Sequence, residues 1–353
     1  MASLQLTQLG KRFGSVHAVE DVTLEIESGQ LLALVGPSGC GKTTVLRLIA
    51  GFETPDRGDV SLDGRSVLET PTEKRGVGVV FQNYALFPHL DVAGNIAYGL
   101  KFVQGAIDRK RRVKELLDLV GLAGLEKRRP DRLSAGQRQR VALARALAPA
   151  PQVMLLDEPL SALDVQLRAR LRLEIRAILK ASGTTALYVT HDQEEALAIA
   201  DRVAVMNAGK LEQVDTPHAV YHQPKTPFVA QFVGQGNLFQ TRVVEVAVES
   251  LQVQAGPARW RLPPHPKVHA GDLLWVLVRP ERLSMSQGDN ALSGVLKGSE
   301  FLGHALRLHL SWEGQTVLAL CESDAASVPP LGASVMLSFP AQAAWALPAS
   351  PSM

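Results

Sequence analysis

The sequence predicts an α/β domain built on a mainly parallel sheet, followed by a smaller all-β barrel. Three observations predict it. Short, wholly apolar runs alternate with helical stretches up to about residue 190, the pattern of strands joined by crossover helices. The first of these runs ends in a glycine-rich loop that opens a helical stretch. Beyond Gly234-Gln235-Gly236, the helical pattern gives way to apolar runs separated by Gly, Pro and polar residues, as in a compact barrel.

In chain order, Leu4, Leu6 and Leu9 nearly alternate with polar residues, and Val22, Leu24 and Ile26 do alternate. Both read as half-buried strands. Leu31-Leu32-Ala33-Leu34-Val35 is continuous, which marks a strand buried on both faces. Thr43 to Ala50 reads as a helix stopped by Gly51. Val77 to Phe81 is a further strand. Asp108 to Val120 is helical, with a basic start and Leu116, Leu117, Leu119 and Val120 behind it. A helix is expected from Gly136 to Leu147, a buried strand from Val153 to Leu156, a helix from Gln166 to Lys180 and a strand from Ala186 to Val189. Leu273 to Val278 and Ala305 to Leu310 read as strands of the barrel. The domain boundary is placed at residue 236, dividing the chain into 1–236 and 237–353.

A chain of 353 residues is long enough for two cores. Hydrophobic residues at 46% and charged residues at 20% are ordinary for a globular protein. A net charge of +2 does not argue for nucleic acid, and no nucleic-acid partner is expected. With only Cys40 and Cys321, a disulfide framework is not expected and a reducing compartment fits. No Cys/His spacing of the zinc kind occurs. No apolar run of roughly 18 residues suggests a membrane span. Met1-Ala2-Ser3-Leu4-Gln5-Leu6-Thr7 lacks the basic and then apolar character of a secretory signal. The expectation is a cytoplasmic protein.

Gly36-Pro37-Ser38-Gly39-Cys40-Gly41-Lys42-Thr43, with Thr44 behind it, fits the pattern G-x-x-x-x-G-K-[ST]. Glycines let the backbone curl its N–H groups toward a phosphate, and the following helix adds its positive end. Lys42 is expected to reach the β- and γ-phosphates and Thr43 to ligate Mg²⁺. Cys40 reads as a small loop residue. Val153-Met154-Leu155-Leu156-Asp157-Glu158 is an apolar strand ending in two carboxylates. Alone these would be solvated acids. Behind a phosphate loop, Asp157 is expected to hold Mg²⁺ and Glu158 to act as general base on water.

Leu133-Ser134-Ala135-Gly136-Gln137, just before that strand, resembles the signature LSGGQ of ABC-type ATPases. Other elements follow in the family's order. Phe13, in Lys11-Arg12-Phe13-Gly14, looks like the aromatic that stacks on adenine. Gln82, in Val79-Val80-Phe81-Gln82-Asn83, looks like the Q-loop glutamine, placed in both catalysis and metal binding. Ser161-Ala162-Leu163-Asp164 looks like the D-loop, and His191, in Val189-Thr190-His191-Asp192, like the switch histidine. The resemblance spans residues 1 to about 236. It implies a RecA-like core with an antiparallel β subdomain and a helical subdomain at about 83–150. It also implies ATP and Mg²⁺ as cofactors, and a homodimer with ATP between the phosphate loop of one chain and the signature of the other. Asp164 would lie at that seam, and His191 would reach the γ-phosphate. Ser134, Ala135, Gly136 and Gln137 would form the second phosphate site at a helix N-terminus. Ala135 stands where most members carry glycine. A positive φ there would strain alanine; a helix capped by Ser134 would suit it, and the capped helix is expected.

Val278-Arg279-Pro280-Glu281-Arg282-Leu283 resembles part of the transport-associated OB-type domain of importer ATPases. The resemblance therefore implies a subunit at the cytoplasmic face of the inner membrane, peripheral, working with integral membrane permease subunits and indirectly with a solute-binding protein. The loop Asn83-Tyr84-Ala85-Leu86-Phe87-Pro88-His89-Leu90 would be an apolar socket for the permease. The motif wording ranks ferric iron first as cargo and polyamine second, ahead of sulfate, molybdate or sugars. A soluble ABC ATPase of DNA repair would need a coiled-coil insertion or tandem cassettes, and an exporter would lack the β tail.

Overall fold

The computed structural model describes residues 2–103, 108–161, 163–266, 268–322 and 328–348. The chain divides into two compact units, Met1–Pro217 and His218–Met353.

The first unit opens with the hairpin β1 (Leu4–Phe13) and β2 (Val16–Ile26), followed by β3 (Leu31–Val35) and α1 (Lys42–Ala50). The strands β4 (Arg57–Leu62) and β5 (Arg65–Ser66) return to β1, completing an antiparallel sheet of order β2-β1-β4-β5. Then come β6 (Val77–Val80), α2 (Val92–Tyr98), α3 (Arg109–Leu119), α4 (Ala135–Leu147), β7 (Val153–Asp157), α5 (Val165–Ser182), β8 (Thr185–Thr190), α6 (Gln193–Ile199), β9 (Arg202–Asn207) and β10 (Lys210–Asp215). The second sheet has the order β10-β9-β3-β8-β7-β6; only the β9–β10 pairing is antiparallel. The uninterrupted apolar runs are its central strands. All five residues of β3 and all six of β8 are buried, because helices and the antiparallel sheet cover both faces. One core joins the two sheets through Leu4, Leu6 and Leu9 on one side and Leu32, Leu34, Leu187 and Met206 on the other, with α1 between.

Helix ends follow local chemistry. Asp91, Asp108, Ser134, Asp164 and Asp192 cap α2, α3, α4, α5 and α6 by accepting a backbone N–H one turn on. Gly51 and Gly183 end α1 and α5 in the left-handed conformation. No helix among the described residues is long and apolar enough to cross a membrane.

The second unit begins with the short helices α7 (Pro217–His222) and α8 (Pro227–Phe232). Among the described residues, nine strands follow: β11 (Asn237–Val246), β12 (Leu251–Ala255), β13 (Ala258–Leu262), β14 (Leu273–Val278), β15 (Asn290–Phe301), β16 (Ala305–Trp312), β17 (Gln315–Glu322), β18 (Ser334–Phe339) and β19 (Ala344–Pro348). They form antiparallel sheets of order β13-β12-β11-β14-β19 and β17-β16-β15-β18. Phe239, Trp260, Trp312 and Phe339 pack edge-to-face and stacked in their shared core. The division falls before the expected boundary at residue 236. Buried Arg279 explains this: its guanidinium donates to the carbonyls of Tyr221, Ala230 and Val233, binding residues 218–236 to the β unit.

Candidate functional site

The phosphate loop joins β3 to α1. Two of its three glycines, Gly36 and Gly41, are required by space. A Cβ on Gly36 would lie 2.2 Å from the Met206 carbonyl oxygen, and one on Gly41 would lie 2.1 Å from that of Ala18. Gly41 also has φ 107°, which L side chains rarely adopt. Lys42 is buried, and its Nζ donates to the carbonyls of Gly36 and Pro37 at 2.8 Å each. This holds the ammonium inside the curl of the loop. Cys40 is buried under that loop, and burial raises its thiol pKa, as fits a small packing residue.

Asp157 ends β7. Burial, and then the Glu158 carboxylate, raise its pKa; Arg47, the Thr43 hydroxyl and Lys42 oppose the rise. Its Oδ1 is buried with no hydrogen-bond partner. A buried carboxylate oxygen without a donor is costly, and a hard divalent cation beside Thr43 would satisfy it. The donor set therefore fits Mg²⁺.

Glu158 has φ 43°, a left-handed conformation that sets it at the turn after β7. Its N–H donates to Val189 O at 2.9 Å, and its Oε1 lies 2.9 Å from His191 Nδ1. Gln82 Nε2 donates to Ser161 Oγ at 3.0 Å, and Ser161 Oγ donates to Glu158 O at 3.0 Å. Gln82, Ser161, Glu158 and His191 thus form one connected set. Ser161 was not among the expected site residues, although it opens the segment matched to the D-loop. Ala162 of that segment lies outside the described residues.

Ser134 caps α4 through a capping box. Gln137 N donates to Ser134 Oγ at 3.2 Å, and Ser134 N donates to Gln137 Oε1 at 3.0 Å. Ala135 is the first helical residue and is not among those with positive φ, so alanine fits without strain. Gly136 is buried, and a Cβ there would meet the Leu171 side chain of α5 at 3.1 Å. Its small size thus answers first to helix packing. Among the described residues, no hydrogen bond joins this turn to the phosphate loop. Asp164 caps α5. Phe13 is 46% exposed at the end of β1, with Lys11 Nζ 5.4 Å from its ring centre; it is no core residue.

The loop after Gln82 differs from the expected socket. Tyr84 is buried, at φ 59°, and Arg145 donates to the carbonyls of Tyr84 and Ala85. Phe87 packs on Tyr98 with ring centres 4.2 Å apart. Fully buried Asn95 bonds the Phe87 backbone on both sides. Tyr84 is thus turned into the core, while Phe87 stays half-buried. The exposed apolar pair is Phe52 with Phe81, their rings 6.1 Å apart.

Residues 19–161 match the ABC transporter family, and residues 276–347 match the TOBE domain. The spermidine/putrescine import ATP-binding protein of Acidothermus cellulolyticus is 48% identical over 307 residues, covering 83% of this chain and 79% of that protein. The chain belongs to the ABC transporter family. It is an import ATPase of the group with a C-terminal TOBE domain, whose ATP hydrolysis is coupled to transport. The Fe(3+) ions import ATP-binding protein of Photorhabdus laumondii is 43% identical over 318 residues, 89% of each chain. The dimeric ATP-binding cassette MJ0796, solved in a post-hydrolysis state with ADP and Pi, superimposes with a TM-score of 0.53 at 30% identity. That match covers 61% of this chain and 98% of the other.

Proposed function

We propose that this ABC ATPase powers import of a polyamine. Two copies would close head to tail over two ATP molecules, beneath integral permease subunits served by a solute-binding protein. The similarity to a spermidine/putrescine import ATPase over most of both chains carries the substrate reading, and it reverses the order expected from the motifs, which put ferric iron first. A peripheral position at the cytoplasmic face of the membrane follows from that role.

Within each ATP site, the phosphate loop and Lys42 would bind the triphosphate, with Phe13 under the adenine. Thr43, Asp157 and Gln82 would hold Mg²⁺, which when bound neutralises charge on the β- and γ-phosphate oxygens. Glu158 would accept the proton of the attacking water. Its hydrogen bond to His191 and the Gln82–Ser161 link to its backbone support that role, because the first orients the carboxylate and the second anchors the backbone that carries it. Ser134, Ala135, Gly136 and Gln137 of the partner, with Asp164 at the seam, would complete the site. Exposed Phe52 and Phe81 beside Gln82 support a permease-docking role better than Tyr84 or Phe87.

Uptake tests the substrate reading. A strain lacking this subunit should lose uptake of labelled spermidine and keep uptake of labelled ferric iron. Normal spermidine uptake with lost iron uptake would restore the original ranking.

A further inference from the structure

The ATP chemistry leaves unused a cavity of about 410 Å³ on the C-terminal unit. That volume suits a small organic ligand. Among the described residues, every ionisable side chain lining it is basic: His222, His265, Arg279 and Arg282. Arg279 is buried and spends its guanidinium on backbone carbonyls and on the Tyr221 ring, 4.1 Å away. Its charge is therefore fixed in place without a carboxylate inside the cavity. The nearby acid, Glu281, accepts from Tyr221 Oη at 2.8 Å and does not line the cavity. The ring of His222 reports the sign of the local field. Its pKa is lowered, first by burial and then by His218, Arg282 and Arg279, with only Glu281 opposing among the causes. The other walls are mixed, with Gln223 and Gln342 among proline, alanine, leucine and tryptophan side chains. Trp345 is pinned by its Nε1–H donating to Pro224 O at 3.0 Å, and Pro340 lies beside it. A concave site whose ionisable lining is all basic attracts anions.

We propose that this cavity binds a small organic anion, one carrying a carboxylate or phosphate, with Arg282 and His222 on the charged end. Arg279 shapes the field, and Arg282 makes the contact, because charge-assisted hydrogen bonds to a guanidinium are the strong ones. The Arg279-Pro280-Glu281-Arg282 segment thereby gains a role that its place in the fold leaves open. This site is separate from the phosphate loop and does not rest on the cargo's identity.

Tryptophan fluorescence of the full chain tests it, since Trp260, Trp275, Trp312 and Trp345 all lie in the C-terminal unit. The probes are citrate, glycerol 3-phosphate and inorganic phosphate. Citrate or glycerol 3-phosphate should give a saturable change, and which of them does so decides between carboxylate and phosphate. Arg282→Glu should weaken that binding by about tenfold or more, as expected for a lost charged hydrogen bond, while Arg282→Lys keeps most of it. Trp345→Phe should remove most of the signal. Equal binding by Arg282→Glu and the parent overturns the proposal, and so does the absence of a saturable response to any probe. Inorganic phosphate binding as tightly as the organic anions would overturn the organic part.

Discussion

The glycine loop at residues 36–43 and the capped turn at residues 134–137, which we propose as the two phosphate sites, are built by different physics. The loop at residues 36–43 works only because side chains are missing: Cβ atoms at Gly36 and Gly41 would collide with backbone carbonyls of β9 and β2. The turn at residues 134–137 is an ordinary capped helix start, held by a reciprocal Ser134–Gln137 box and tolerant of alanine at its second position. A glycine in a motif can thus mean a backbone that must approach closely, or only a helix that must pack. Coordinates separate the two cases where the motif string does not.

The contrast can be broken by substitution. Gly41→Ala carries the largest expected effect. The backbone strain alone should cost about 1–3 kcal/mol and the overlap with Ala18 more, so ATP affinity should fall by at least about 10²-fold. Binding of a fluorescent ATP analogue measures it; near-parental affinity would remove the steric argument. Gly136→Asp should also nearly abolish turnover, by placing a carboxylate against Leu171 and the partner's phosphate. Gly136→Ala sharpens the reading. If packing alone sets this position, alanine should lower thermal stability slightly, by about 1 kcal/mol as Leu171 adjusts, and keep most of the ATPase rate. A loss as large as that of aspartate would mean that the backbone there must touch phosphate. Ser161→Ala should slow steady-state hydrolysis by about tenfold at unchanged ATP affinity, because two hydrogen bonds of about 1 kcal/mol each are lost. An unchanged rate would make the Gln82–Ser161 link incidental. The smallest effect is expected from Ala135→Gly, less than about tenfold on the rate, since Ala135 is already helical and only helix propensity changes. A much faster variant would show that Ala135 cripples the signature.

Much of the cassette was legible because its chemistry lies in contiguous strings set between continuous apolar strands. Val153 to Glu158 could be read as strand and site at once. What was missed depends on contacts distant in sequence. β4 and β10 find their place by pairing with β1 and β9, and the two-residue β5 by pairing with β4. Ser161 gained its role from Gln82 across the fold. Tyr84 looked like an exposed apolar loop residue, yet it is buried, with Arg145 of α4 donating to its carbonyl. The boundary near residue 218 was hidden because Arg279 ties α7 and α8 to strands much later in the chain.

The central claim is that the Glu158 carboxylate, oriented by His191 and with its backbone anchored by Ser161, activates water in an ATP site shared by two chains. Single-turnover hydrolysis by Glu158→Gln tests it most directly, with ATP retention and dimer mass followed in the same sample. Hydrolysis should slow at least about 10²-fold, while ATP binding persists and the chain accumulates as an ATP-bound dimer. Near-normal turnover with no dimer would contradict it.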